Sequence, residues 1–117
     1  MKVAIIGSRD LTVTNFDEYL PPETTEIVSG GAAGIDQCAK AYAEANGIKY
    51  TEFLPEYSKY KRNAPLKRNI QIIEYADLVL AFPRPDGSSR GTQHVINNCN
   101  KLNVPVEVII LSENAEK

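Results

Sequence analysis

The sequence has few cysteines, a single histidine and no long apolar run. Its two cysteines, Cys38 and Cys99, form no CxxC pair, and His94 is the only histidine. We therefore expect reduced cysteines in the core, no disulfide and no zinc site. The apolar runs, of which Leu78–Phe82 is typical, are too short to span a bilayer. The first residues contain no basic segment followed by a long apolar stretch, so we expect no signal peptide, no membrane association and a cytoplasmic location.

The chain also has no excess of positive charge. Its 13 Lys and Arg residues face 15 Asp and Glu residues, for a net charge of −2. A broad, sequence-independent grip on DNA or RNA needs a basic surface, so DNA is an unfavoured partner, although a local basic site is compatible with this charge. The length of 117 residues, with 43% hydrophobic and 24% charged residues, is typical of one globular domain.

The apolar pattern predicts alternating strands and helices. The strands are expected at Lys2–Ile6, Thr25–Ser29, Lys49–Leu54, Asp77–Phe82 and Val106–Leu111. The helices are expected at Asn15–Leu20, Gly34–Asn46, Leu66–Ala76 and Gly91–Leu102, with Leu66 and Leu102 facing inward. The segments Glu56–Pro65 and Pro83–Arg90 are predicted to be loops.

This alternation predicts an α/β fold. Strands joined by helical crossovers form a parallel sheet, and the helices then cover both of its faces. We expect a three-layer sandwich around a mostly parallel sheet of five strands. Ligands on such sheets bind at the carboxyl ends of the strands, so the loops that follow the first four strands are the candidates for a site.

The loop after the first strand contains Gly7, Ser8 and Arg9. A glycine permits a tight turn and close approach of a ligand, and arginine suits phosphate. The alternative is an ordinary turn with a solvated arginine.

The loop after the second strand is rich in glycine. Gly30, Gly31 and Gly34 lead directly into a helix, so exposed N–H groups and the helix dipole favour an anion there, although a tight structural turn is the alternative. The spacing is neither that of a Walker A loop nor that of the dinucleotide fingerprint. Asp36, in the first helical turn, has three alternative roles: complementing the dipole, binding a ribose hydroxyl, or orienting Arg9 or Arg68.

Two further segments carry polar side chains to the same edge. Tyr57–Arg62 interleaves aromatic and basic residues, which suits either stacking on a base or a surface flap. Arg68 and Asn69 lie near the start of the next helix. After the fourth strand, Ser88, Ser89, Gly91 and Thr92 precede or begin another helix and favour a second anion site. His94, just inside that helix, is expected to be partly buried, and a neutral imidazole is plausible there because the N-terminus of a helix disfavours imidazolium.

These segments together resemble the SLOG superfamily of Rossmann-like domains. The motifs that carry the resemblance are Gly7-Ser8-Arg9, Ser29-Gly30-Gly31-Ala32-Ala33-Gly34-Ile35-Asp36, Arg68-Asn69, Ala76-Asp77 and Ser89-Arg90-Gly91-Thr92. They occur in order and cover residues 1–111. The superfamily includes the DNA-processing protein DprA and the LOG phosphoribohydrolases, and the chain is most similar to small stand-alone YspA-like members.

The resemblance implies a nucleotide-type ligand in the crevice. The positions that match the ligand-binding motifs are Gly7, Ser8, Arg9, Gly30, Gly31, Gly34, Asp36, Arg68, Asn69, Ser89, Gly91 and Thr92. It also implies a homodimer, since relatives commonly self-associate. No cofactor is required, although a nucleotide can bring Mg²⁺ with it.

Two departures from the family pattern bear on the activity. Ala33 stands where the DprA-like motif usually has arginine, and no carboxylate follows Thr92 where the LOG hydrolases have a catalytic glutamate. We therefore expect a sensor or carrier that binds a nucleotide or a nucleotide-derived ligand such as ADP-ribose or NAD. The alternatives are an N-glycosidic hydrolase, with Asp36 and Arg68 as the candidate catalytic residues, and a DprA-like binder of single-stranded DNA.

Overall fold

A computed structural model describes residues 1–111, and five parallel strands form its sheet. The strands are β1 (Lys2–Gly7), β2 (Glu26–Ser29), β3 (Lys49–Glu52), β4 (Leu78–Phe82) and β5 (Val106–Val108). Their order is β3-β2-β1-β4-β5, and each neighbouring pair is parallel. The prediction of an α/β fold with a five-stranded sheet is confirmed, and the fold is Rossmann-like.

The alternation of side chains along β1 builds one core on each face of the sheet. Val3 and Ile5 point to one face, where they pack with the buried Phe16 and with the helix α1 (Ile35–Ala45). Ala4 and Ile6 point to the other face, and they share a cluster with residues of α3 (Ala64–Tyr75) and α4 (Arg90–Leu102). Because both faces of β1 are covered, the strand is buried and apolar throughout its centre.

The predicted helix over Asn15–Leu20 is wrong. The segment between β1 and β2 is irregular, with one turn in which the carbonyl oxygen of Phe16 accepts hydrogen bonds from the N–H groups of Tyr19 and Leu20. Pro21 and Pro22 follow at once; they have no N–H to extend the turn and disfavour a helical residue before them. The Phe16 ring fixes the segment instead, because it is buried and packs edge-to-face against Tyr42 and Phe82.

The predicted loop over Glu56–Pro65 is also wrong. The short helix α2 (Tyr57–Tyr60) and a 3₁₀ turn (Lys61–Asn63) lead directly into α3, which begins at Ala64 rather than at Leu66. Pro65 lies in the first turn of α3, where its missing N–H costs nothing. The prediction that the side chains of Leu66 and Leu102 face inward is wrong as well, since both are exposed. The last strand ends at Val108 and not at Leu111.

No helix within residues 1–111 is both long enough and apolar enough to cross a membrane.

A buried carboxylate, that of Glu26, joins elements at the amino ends of the strands. Its side chain accepts hydrogen bonds from the hydroxyl groups of Thr51 and Tyr75, and the exposed Lys49 lies 3.6 Å away. Burial is the largest influence and raises the pKa of Glu26. The two hydrogen bonds and the charge of Lys49 outweigh burial, so the pKa is lowered overall.

Glu26→Gln is expected to lower the free energy of unfolding by about 1–3 kcal/mol at pH 7. Because the pKa is lowered in the folded state, the contribution of Glu26 is present above the unfolded pKa of about 4.3 and is lost as the pH falls through the folded pKa. The difference in the free energy of unfolding between Glu26→Gln and the wild type should therefore be smaller in acid. Urea unfolding at pH 7 and pH 3.5 measures it, with the exposed Glu74→Gln as control. Equal losses for both variants would contradict the prediction.

Candidate functional site

A cleft of about 660 Å³ opens at the carboxyl edge of the sheet. β1 and β4 are neighbours there, but the chain leaves them toward opposite halves of the sheet, so the cleft lies at the topological switch point. Eleven of the twelve predicted ligand-binding residues line it: Gly7, Ser8, Arg9, Gly30, Gly31, Asp36, Arg68, Asn69, Ser89, Gly91 and Thr92. Residues from the β1, β2 and β4 loops and from the start of α3 thus share one cleft.

Gly34 is the predicted residue that does not line the cleft. It lies beneath the loop that follows β1, with a φ of +75°, and a Cβ there would stand 2.4 Å from the carbonyl oxygen of Ser8 and 2.5 Å from that of Arg9. The same Ser8 carbonyl accepts a hydrogen bond of 3.2 Å from the N–H of Ile35, the first residue of α1. The glycine therefore lets the β1 loop pack directly on the N-terminus of α1.

The carboxylate of Asp36 holds the loops after β1 and β2 together. It is 3% exposed and accepts hydrogen bonds from the N–H groups of Gly30 at 3.0 Å and of Gly7 at 3.4 Å. Burial raises the pKa of Asp36, against the opposing effects of backbone hydrogen bonds from Gly30, Ala32 and Gly7 and of the charge on Arg68. The hydrogen bonds of Asp36 go to backbone N–H groups and not to Arg9 or Arg68, so its role here is to link the two loops, which differs from the three predicted roles.

Several N–H groups predicted to bind an anion are used within the protein. Those of Gly7 and Gly30 donate to Asp36, and that of Ile35 donates to the carbonyl oxygen of Ser8. The N-terminus of α1 and the loop before it therefore offer a ligand fewer free N–H groups than the glycine pattern predicts.

The N-terminus of α4 is more open. The hydroxyl of Ser89, the residue before the helix, accepts the N–H of Arg84 at 2.7 Å and does not cap α4. Within residues 1–111 no hydrogen bond engages the N–H groups of Gly91 and Thr92. Gly91 is exposed on the cleft, and a Cβ there would meet no atom within 4 Å. These free donors at the positive end of a helix are suited to an anion.

Arg68 crosses the cleft floor from α3. Its Nη1 donates to the carbonyl oxygen of Gly30 at 2.7 Å, and its Nε donates to Oδ1 of Asn69 at 3.0 Å. A Cβ on residue 30 would lie 2.4 Å from Nη1, so the guanidinium takes the place that a side chain would need. Burial lowers the pKa of Arg68, opposed by the charge of Asp36. The pair Arg68-Asn69 thus fixes the floor of the cleft.

Three arginines line one side of the cleft, and two of them, Arg9 and Arg90, make it a cationic wall. Arg84 is paired with the carboxylates of Asp10 and Asp86, which ties the β1 loop to the β4 loop. Arg9 and Arg90 are exposed on the cleft, and within residues 1–111 neither forms an ion pair. Arg84 and Arg90 were not among the predicted site residues, although two arginines in a loop after a buried strand were a signal.

The opposite wall is apolar. Leu54, Tyr57 and Leu66 line the cleft and are 57%, 61% and 43% exposed. Of the interleaved stretch predicted to stack on a base, Tyr57 alone lines the cleft. Exposed apolar side chains gathered on one wall are suited to an apolar part of a ligand.

His94 does not line the cleft but lies behind Asn69. Its Nδ1 is 3.3 Å from Nδ2 of Asn69, and the Asn69 side chain is buried. Burial, and then the charge of Lys101, lower the pKa of His94, in agreement with the predicted partly buried, neutral imidazole.

Comparison of the chain with protein-family models, curated proteins and solved structures finds no match. The fold and the cleft define the class, a Rossmann-like α/β protein with a cleft at the switch point of its sheet.

Proposed function

We propose that the protein binds a nucleotide or a nucleotide-derived ligand in this cleft, as a sensor or carrier. The observation that carries the proposal is the division of the cleft into a cationic wall with free helix donors and an apolar wall with Tyr57. A nucleotide has the same division between its phosphate and its base. The volume of about 660 Å³ lies within the range of small-molecule sites.

The two walls also support one direction for the proposed ligand. The phosphate lies toward Arg9, Arg90 and the N-terminus of α4, where charge and N–H donors converge. The base lies against Leu54, Tyr57 and Leu66, where the Tyr57 ring provides a surface for stacking. Membership of the SLOG superfamily, on the motifs given above, is part of this proposal. A homodimer and a cytoplasmic location stay predictions.

The second candidate is an N-glycosidic hydrolase. Such a reaction normally needs a carboxylate free to assist departure of the base. Asp36 lines the cleft, but its oxygens already accept backbone N–H groups, which favours binding over hydrolysis. The DNA-binding alternative has no similar support, because the net charge is −2 and the basic residues Lys61 and Arg62 lie outside the cleft.

Ligand-observed proton NMR with AMP, ATP, ADP-ribose, NAD and a deoxynucleotide tests the proposal. We expect selective broadening of at least one compound while its anomeric signals persist for hours. Release of free base and sugar would instead identify a hydrolase. No effect from any compound would contradict a nucleotide ligand.

Arg9→Gln and Arg90→Gln are each expected to weaken binding of the selected nucleotide about tenfold, because each removes a charged contact to phosphate. Stability should change little, since both side chains are exposed. Isothermal titration measures the affinity. Arg62→Gln is the matched control: it removes the same charge from an exposed position outside the cleft and should leave the affinity unchanged. An equal loss of affinity in all three variants would show that binding depends on the net charge of the protein and not on contacts in the cleft.

A further inference from the structure

A chain of side-chain hydrogen bonds joins α4 to the floor of the cleft. The Asn69 amide lies between two partners, with Oδ1 accepting from Nε of Arg68 at 3.0 Å and Nδ2 lying 3.3 Å from Nδ1 of His94. Arg68 in turn donates to the carbonyl oxygen of Gly30, in the loop after β2. The ring of His94 is thus linked to a cleft arginine through one amide group.

The amide determines which nitrogen of the imidazole carries the proton. The Nδ2 group of Asn69 is a donor only, so Nδ1 of His94 must accept, and the neutral ring then carries its proton on Nε2. In this state, the oxygen of the amide faces Arg68 and its NH₂ group faces the ring. The side chain of Asn98 donates to the backbone carbonyl of His94, so this hydrogen bond does not involve the imidazole ring.

Protonation of the ring is incompatible with this arrangement. A proton on Nδ1 sets two donors against each other across 3.3 Å. Rotation of the amide by half a turn restores a hydrogen bond to the ring, but it places the NH₂ group against the Nε–H of Arg68. Since one amide cannot accept from the two sides at once, the charged ring and the Asn69–Arg68 hydrogen bond exclude each other.

We propose that His94 is a positioning residue that holds Arg68 in the cleft through Asn69, and that protonation of its ring releases this tether. Lys101, which is also on α4, is the charged residue that acts on the imidazole ring. Arg68, on α3, donates to the oxygen of the Asn69 amide. Burial and Lys101 lower the pKa of His94, so the tether is complete at neutral pH and is lost as the pH falls through this lowered pKa. The effect on ligand binding rests on the proposed function, but the coupling inside the protein does not.

NMR of ¹⁵N-labelled protein tests the coupling without a ligand. The chain has one histidine, so the signals of its ring nitrogens are unambiguous, and Arg68→Lys identifies the Nε–H signal of Arg68. We expect the neutral ring to carry its proton on Nε2. As the pH falls, the Arg68 Nε–H signal should shift with the same midpoint as the ring. A proton on Nδ1 of the neutral ring, or an Arg68 signal that does not follow the ring, would overturn the proposal.

Three variants separate positioning from a merely structural role. In His94→Gln an amide oxygen can accept from Asn69 at every pH, so the pH response of Arg68 should disappear. In Asn69→Asp a carboxylate can accept from both neighbours, so Arg68 should stay tethered while the ring is charged and the pKa of His94 should rise. Asn98→Ala is the control, because it removes a contact to the His94 backbone alone and should keep the coupling. A coupling that persists in Asn69→Asp would contradict the mechanism.

ADP-ribose is the probe for the effect on ligand binding, because the charge of its pyrophosphate does not change over the pH range in which histidine titrates. Below the midpoint of the ring titration, its affinity should fall about tenfold in the wild type and stay constant in His94→Gln. Equal affinity on both sides of the midpoint in the wild type would overturn the effect on binding. Failure of ADP-ribose to bind at any pH would count against this ligand, whereas the NMR titration still decides the coupling.

Discussion

Gly34→Ala is expected to destabilise the protein by about 3 kcal/mol or more, as measured by urea unfolding. Residue 34 has a φ of +75° and a ψ of −126°, a conformation that side chains rarely adopt. A Cβ would also lie 2.4 Å from the carbonyl oxygen of Ser8, which is backbone and cannot rotate away. The β1 loop would have to lift from α1, so the variant should also lose affinity for the cleft ligand.

Gly47→Ala is the matched control for this prediction. Gly47 ends α1 with a φ of +65°, and a Cβ there would meet nothing within 4 Å. In the control only the left-handed backbone conformation is unfavourable for alanine, so its free energy of unfolding should fall by about 1 kcal/mol. Equal losses in the two variants would show that the close packing of the β1 loop on α1 contributes nothing.

Asp36→Asn is expected to destabilise the protein by about 2–4 kcal/mol, again measured by urea unfolding. The two carboxylate oxygens accept from the N–H groups of Gly7 and Gly30, and an asparagine has one oxygen. Its NH₂ group would face one of the two donors in a buried place, which leaves that donor without a partner.

Asp77→Asn serves as the control for Asp36→Asn. The exposed Asp77 accepts one backbone N–H, that of Lys2, at 2.8 Å, and an asparagine oxygen can replace it there. The control should lose less than about 1 kcal/mol. A loss in Asp36→Asn no larger than in the control would contradict the role of Asp36 as a link between loops.

The same variant separates the two candidate functions. If the protein hydrolyses a nucleotide, Asp36→Asn should abolish turnover even at nucleotide concentrations that saturate the weakened site. If the protein only binds, the variant should show weaker binding in proportion to the disturbance of the loops at Gly7 and Gly30. Unchanged turnover in the variant would remove Asp36 from a hydrolytic mechanism.

Local patterns were sufficient for most of the fold. The helical spacing of Ile35, Ala39 and Ala43 predicted α1, and all three residues are buried. The run Leu78–Phe82 predicted a strand buried on both faces, and β4 occupies that range between β1 and β5, with four of its five residues buried. Because the order of elements dictates parallel pairing, the carboxyl edge of the sheet could be predicted too, and eleven of the twelve residues predicted at the site line one cleft there.

Local patterns failed at two segments. Asn15–Leu20 was predicted to be a short helix, but the burial of Phe16 against Tyr42 and Phe82 holds it as an irregular turn. Tyr57–Tyr60 has no apolar stripe, yet it forms a helix that precedes α3 and brings Tyr57 to the cleft. The conformation around Phe16 is not visible in a short window of sequence, because its partners lie elsewhere in the chain. The turn at Tyr57–Tyr60 is instead held locally, since the N–H groups of Lys59 and Tyr60 donate to the carbonyl oxygen of Glu56.

The alternation of strands and helices, the parallel sheet and the loops at its carboxyl edge follow from the residue pattern alone, since these depend on periodicity and on connection rules. Which groups in those loops are free follows only from the folded chain. In the folded protein Asp36 pairs with the donors around it, the N-terminus of α4 stays open, and His94 lies behind Asn69. Hydrogen-bond partners depend on distance in space, which residue type and spacing along the chain do not specify.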